Sequence, residues 1–507
     1  MSGISSQESP QPGTDARAEE DIAAIARGGR TNLFGFFLRL AARIPFLFIA
    51  GRAPGYGPAA LGVFASALVL IELAAMVCTL GEKRGLAQRL SESDEHPANV
   101  IADGSLVALL ASTFMALVFW FFPAPLFPSG EFTQIDRMMV FAIPPLALTE
   151  IWLAALAYRF DVGATVRARA IVEPWTISIV AGVMALLAPT SGLAVAYLAS
   201  VYAAALAAFI PFLRAYGLPR GWRPSLGGMG KLTLRSLPIA TADAIEWGTR
   251  RLDIFILGLF APPVAVGVYY VAQQIASLPQ KLKTSFEPIL GPVITRNLKT
   301  RDYAAIARQV RQVGFWILAA QFGVALALGI PGEGVMGLVG PQFVGGTGAL
   351  AFLLTAEVVA ATAVVSEAAL IYVARVKNLM VSLATVVLQA LLTIAGILLM
   401  QRLGYDELFQ AAAAAAALAL ALGFTSLVKA RILAGILAEA TNNWRWGLGL
   451  AVVPAVIVGW LAVHLPEWAE LALGIPAILA VYFGVLWRWA FSAEDRVLFQ
   501  KAQKSAS

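Results

Sequence analysis

Apolar runs of about twenty residues recur along this chain from residue 31 to residue 491. Each is long enough to cross a hydrocarbon layer about 30 Å thick at about 1.5 Å per residue. The runs are continuous rather than alternating in blocks of about ten, so helices and not barrel strands do the spanning. Composition agrees: 59% of the residues are hydrophobic and 13% are charged, about half the charge usual in a soluble domain. The fold class is therefore an all-α polytopic membrane protein.

The pattern predicts about fourteen transmembrane helices, at roughly 31 to 54, 57 to 81, 98 to 122, 136 to 158, 169 to 189, 192 to 213, 233 to 260, 264 to 290, 309 to 331, 346 to 373, 376 to 400, 407 to 429, 444 to 464 and 469 to 490. Lys and Arg concentrate in every second connection, among them Lys83, Arg84 and Arg89, then Arg159, Arg167 and Arg169, then Arg214, Arg220 and Arg223. The opposite connections keep only Arg52, Arg137 and Arg402. Since cytoplasmic loops hold the basic excess, both termini are expected inside. Residues 1–30 are polar, rich in Gly and Pro, and lack the continuous apolar core of a signal peptide; they read as a disordered cytoplasmic tail, and 492–507 as a second one.

Chemistry is bounded as tightly as topology. The outward connections are short and the inner ones are basic linkers, so no catalytic domain has room outside the bilayer. Cys78 is the single cysteine, which excludes an intramolecular disulfide. His96 and His464 stand in separate loops, without metal-ligand spacing, and there is no G-x-x-x-x-G-K-[ST] phosphate loop. No enzymatic activity, metal, cofactor or nucleic-acid partner is expected.

The chain repeats itself. "RIPFLFIAG" (43–51) matches "RRLDIFILG" (250–258), pairing Arg43 with Arg250 and Gly51 with Gly258, and each is followed by a Gly-Val-aromatic step, Gly62-Val63-Phe64 and Gly267-Val268-Tyr269. Ala155-Leu156-x-Tyr158 similarly matches Ala369-Leu370-x-Tyr372. The same offset aligns Ala181-Gly182 with Ala395-Gly396, so helices 1, 4 and 5 pair with helices 7, 10 and 11. Six helices separate the copies, so both share one orientation and are related by an axis near the membrane normal. The expected organisation is two pseudo-symmetric six-helix lobes, 31–213 and 233–430, around a central cavity. A cytoplasmic linker at 214–232 joins them and two further helices follow at 431–491.

One segment breaks the apolar rule. "TADAIEWGTRRLDIFILG" (241–258) carries Asp243, Glu246, Arg250, Arg251 and Asp253 inside helix 7. On a helical wheel Asp243, Glu246, Arg250 and Asp253 share one arc of about 80°, with Arg251 pointing elsewhere. A charge facing lipid near the bilayer centre costs several kcal/mol, so this face is expected to line the cavity. Arg39 and Arg43, four residues apart on helix 1, add to it by pseudo-symmetry. The planar guanidinium suits phosphate, to which it donates two hydrogen bonds while remaining charged at any depth. Arg39, Arg43, Arg250 and Arg251 are the candidate diphosphate-binding residues. The competing reading is that these charges neutralise one another as structural pairs between helices. Glu72, Glu150, Glu173, Glu357 and Glu367 are the other intramembrane acids. With Asp243, Glu246 and Asp253 they are the candidates for coupling to H⁺ or Na⁺, although pairing with loop arginines is the alternative for each.

Several segments resemble the polysaccharide transporters of the MOP superfamily, the Wzx-type O-antigen and exopolysaccharide flippases. They are the first hairpin from "TNLFGFFLRLAARIPFLFIAG", the junction "LAALAYRFDVGATVRARAIVEP", and "SLPIATADAIEWGTRRLDIFILGLFAPPVAVGVYYVAQQIASLP" with Pro238, Asp253, Gly258, Gly267, Tyr269 and Ala272 at the family's spacing. "LVGPQF" and "IYVARVKN" follow in order. Together they cover about residues 30 to 440. Glu287-Pro288 departs from the pattern. The resemblance implies a cavity lined by helices 1 and 7 and a location in the bacterial inner membrane. It also implies flipping of an undecaprenyl-diphosphate-linked oligosaccharide for O-antigen, exopolysaccharide or capsule synthesis, alongside other polysaccharide-assembly membrane proteins. A drug/cation antiporter of the related MATE branch would have about twelve spans and an acid-dominated cavity. A membrane polymerase or ligase would need a large outer loop, which this chain lacks.

Overall fold

The computed structural model describes residues 44–224, 226–284, 294–492 and 495–496. Every regular element among them is helical. In chain order these are α1 (44–52), α2 (Pro58–Cys78), α3 (Glu82–Glu92), α4 (Pro97–Phe121), α5 (Gln134–Tyr158), α6 (Gly163–Leu187) and α7 (Gly192–Tyr216). The second half holds α8 (Leu226–Phe260), α9 (Pro263–Thr284), α10 (294–299), α11 (Tyr303–Gly329), α12 (Gly332–Val339), α13 (Pro341–Ala361), α14 (Val364–Val373), α15 (Arg375–Arg402) and α16 (Glu407–Leu437). Last come α17 (Trp446–Ala462) and α18 (Glu467–Trp489).

Ten of these helices are long and apolar enough to cross a membrane. The helices α8 and α9 have the length, 35 and 22 residues, but fall outside that group because charges and glutamines interrupt their apolar character. They are helices built for a polar neighbour, not for lipid on all sides.

Three features depart from the expected spans. The basic connection after α2 is not a simple loop: Gly81, in the left-handed region at φ 72°, turns the chain into the amphipathic α3. There Leu86 is fully buried against α5, while Arg89 pairs with Glu82 at 2.5 Å. Next, α8 begins at Leu226, within the stretch read as linker. Finally, the continuous helix expected at 346–373 is broken at Thr362 and Ala363 into α13 and α14. The break is stabilised from outside, because Asn443 Nδ2 donates to the Thr362 carbonyl at 3.1 Å and so serves a backbone group that an unbroken helix would serve itself.

Within the first half, α4 packs on α5, α5 on α7 and α6 on α7; within the second, α8 packs on α15, and α13 and α15 both pack on α16. The alanine tract of α16 is the small-residue surface that permits this, with Ala411, Ala414, Ala415 and Ala421 fully buried and Ala413 meeting Gly396 of α15. The halves meet mainly where α2 packs on α8 and α9. The final pair α17 and α18 docks on α11, where Tyr482 donates to the Ala319 carbonyl at 2.9 Å.

Candidate functional site

The charged face of α8 meets α2 and α9, and the structure sorts its residues into different environments. Arg250 is exposed. Arg251 is half-buried: its Nη1 donates to Gln273 Oε1 of α9 at 2.7 Å and its Nη2 lies 3.9 Å from Glu72 Oε2 of α2. Asp253 is fully buried, accepting from the Tyr269 hydroxyl and, at 3.4 Å, from Gln273 Nε2. Arg39 and Arg43, together with the side chains of Asp243 and Glu246, lie outside the described residues, as do Glu287 and Pro288.

This arrangement corrects the placement of two residues. Asp253 does not look into an open cavity: α9 covers it, and its position two turns from the end of α8 puts it opposite Tyr269, a donor that a buried carboxylate needs. Nor does Arg251 stand apart from it, since one amide, Gln273, accepts from Arg251 and donates to Asp253. Tyr269 and Gln273 are one turn apart on α9, and that i, i+4 polar pair in an apolar helix was the sequence signal for the missing half of the cluster.

The remaining acids fall into separate groups. Glu150 of α5 is bound by Arg169 at 2.5 Å and by Lys83 of α3 at 2.8 Å, and Arg169 also holds Glu173 at 2.7 Å. Glu367 of α14 takes the buried Lys429 of α16 at 2.8 Å. Glu357 is half-buried on α13. Glu72 of α2, among the described residues, has the Arg251 guanidinium at 3.9 Å as its ion-pair partner.

Close approach of the halves depends on glycine. A Cβ on Gly62 of α2 would overlap the Pro263 carbonyl of α9, and a Cβ on Gly267 of α9 would overlap the Pro58 carbonyl of α2. Alongside, Arg52 donates to the Leu338 and Gly337 carbonyls at 3.1 and 2.9 Å, and Gln342 donates to the Gly51 carbonyl.

Solved structures share this architecture. An inward-facing multidrug resistance MATE family transporter of the MOP superfamily superposes with a TM-score of 0.62 at 15% identity, over 80% of this chain and 98% of its own. Lipid II flippase MurJ, in an inward closed conformation, gives 0.65 at 11% identity, over 92% and 98%. A MOP superfamily transporter from Pyrococcus furiosus Vc1 gives 0.54 at 15% identity, over 83% and 95%. At such identities the likeness establishes the fold. No curated protein matches the chain in sequence. The family model described as "Polysaccharide biosynthesis protein" matches residues 56–327, just over half of the chain. With this match and a polytopic helical fold shared with MOP superfamily transporters, the chain belongs to the polysaccharide biosynthesis protein family.

Proposed function

We propose that the protein is a flippase that carries an undecaprenyl-diphosphate-linked oligosaccharide across the bacterial inner membrane for O-antigen, exopolysaccharide or capsule assembly. The lobes 31–213 and 233–430 alternate access to a central cationic cavity, and 431–491 supplies an additional helix pair. The basic connections face the cytoplasm, so both termini lie inside and the turns at 53–57 and 261–262 face outward.

The observation that carries this reading is the exposed Arg250 on α8, a second-half helix that packs against α2 of the first half, in a chain with 13% charge. A diphosphate in hydrocarbon lacks water to solvate its charge, and arginines from α8 and from the repeat-related segment at Arg39 and Arg43 supply the counter-charge. Arg251 contributes when it exchanges Gln273 and Glu72 for the ligand. Family membership supports the substrate class.

Coupling to an H⁺ or Na⁺ gradient falls to Glu72 in preference to Glu150 or Glu367, whose carboxylates are held by cations at 2.5 to 2.8 Å. Vesicle uptake under imposed gradients tests this: indifference to both ions removes the coupling role.

The decisive experiment combines Arg43→Ala with Arg250→Ala in a host lacking its own flippase. The expected result is loss of surface polysaccharide at wild-type expression. Full restoration by that variant would overturn the cationic-cavity mechanism.

A further inference from the structure

Gly62 lies one turn into α2 and Gly267 one turn into α9, and the internal repeat makes them mates. Pro58 and Pro263, one turn earlier in each helix, are mates by the same register. In space each glycine presses on the backbone carbonyl of the other copy's proline. The contact is therefore self-complementary, as at a two-fold interface between identical subunits, but formed within one chain.

Further along the same seam, Gly258 of α8 faces Ser66 of α2: a Cβ built on Gly258 stands 4.0 Å from Ser66 Cβ. Arg251 and Glu72 lie deeper, at 3.9 Å. The seam thus runs from backbone-on-backbone packing at the outward turns to a polar layer in the membrane interior.

We propose that this crossing is the outer gate of the translocation path, a self-complementary seal whose two glycine contacts part together. The inference rests on the flippase reading for what passes through it. Phe64 of α2 and Tyr270 of α9 pack edge to face beside the glycines, with ring centroids 6.3 Å apart, but the two glycine contacts themselves are made on backbone, so no rotamer change opens them. The seal yields only to separation of α2 from α9 as rigid elements, which breaks both contacts at once. Parting also uncovers Ser66, Gln273 and the Glu72–Arg251 pair, polar groups that water can solvate on the exit side. Volume added at either glycine holds the gate ajar, and the two substitutions act as one unit rather than additively.

The test uses the full chain with Cys78→Ala, carrying Ser66→Cys and Gly258→Cys. The Cβ separation of 4.0 Å lies inside the range of about 3.5–4.5 Å that a disulfide spans. In membranes of a flippase-deficient host, mild oxidation is expected to form the cross-link, seen by mass spectrometry. Surface polysaccharide then falls at least about tenfold, and a reductant restores it. A cross-linked protein that exports at the unlinked level overturns the gate, and so does failure of the cross-link to form. If the Cys78→Ala parent does not restore polysaccharide, the flippase reading fails, and a second readout still decides the gate. Gly267→Ala is expected to raise labelling of Ser66→Cys by an impermeant maleimide about tenfold from the outer side, with Gly62→Ala adding nothing further. Unchanged labelling overturns the proposal.

Discussion

Arg169 of α6 and Glu150 of α5 meet at 2.5 Å, and the same guanidinium holds Glu173 at 2.7 Å. One planar fork thereby compensates two carboxylates, with Lys83 of α3 completing the balance at 2.8 Å. Arg169→Met removes the shared partner and leaves Glu173 with its charge uncompensated. A loss of about 3 kcal/mol is expected, read as a lower melting midpoint of the detergent-solubilised protein. Arg169→Lys recovers only part of it, because an ammonium is a point donor that does not reproduce the fork. A wild-type midpoint for Arg169→Met would show that the cluster does not hold α5 to α6.

Asp253 and Tyr269 carry the corresponding role between α8 and α9. Tyr269→Phe takes the hydroxyl donor from a fully buried carboxylate and is expected to cost about 1–3 kcal/mol. Asp253→Asn keeps an oxygen that accepts from both Tyr269 and Gln273, so its loss should be smaller. Denaturation curves of the two variants in matched micelles check the order; the reverse order would mean that the charge, not the acceptor, is what the site requires.

Asp495 supplies a pH dependence. It is fully buried beyond the last span, and burial alone would raise its pKa. Hydrogen bonds from Arg445 at 2.5 Å and from the Ser492 hydroxyl and backbone at 2.7 and 2.8 Å outweigh that, so its pKa lies below the ordinary aspartate value. A depressed folded pKa gives stability that is fully present above the unfolded value of about 3.9 and is lost as pH falls through the folded value. The melting midpoint is therefore expected to drop below about pH 4, and Asp495→Asn to flatten that part of the profile. Trp316, whose indole donates to Asp495 at 2.9 Å, offers a fluorescence readout of the same event.

Gly314 of α11 and Asn443 are coupled. A Cβ on Gly314 would lie 2.7 Å from Asn443 Nδ2, the atom that serves the Thr362 carbonyl. Gly314→Ala and Asn443→Ala are each expected to cost about 1–3 kcal/mol, and the double variant about the same as either alone. Additive losses in a double-mutant cycle would separate the two residues.

The spanning helices were legible because hydropathy reports what lipid demands of a segment, and α8 stood out because its charges violate that demand. The partners of those charges were not legible. A helical wheel gives direction and not reach, so Arg251 read as remote from Asp253, although a long guanidinium and the two-ended amide of Gln273 join them. The break between α13 and α14 had no local signal either, because the run 358–366 contains neither Gly nor Pro and the stabilising Asn443 lies 81 residues further on. The amphipathic α3 was hidden by its basic residues, although Leu86 and Leu90, one turn apart, mark its buried face.

The Thr362 carbonyl also imposes an order on biogenesis. Its side-chain donor is synthesised 81 residues later, a delay of roughly 4–16 s at ordinary elongation rates. During that interval the break between α13 and α14 has emerged while Asn443 has not. A nascent chain stalled short of residue 443 must keep that break in water, in the insertion machinery or against another polar group. The connection between α16 and α17 therefore completes the insertion of helices made well before it.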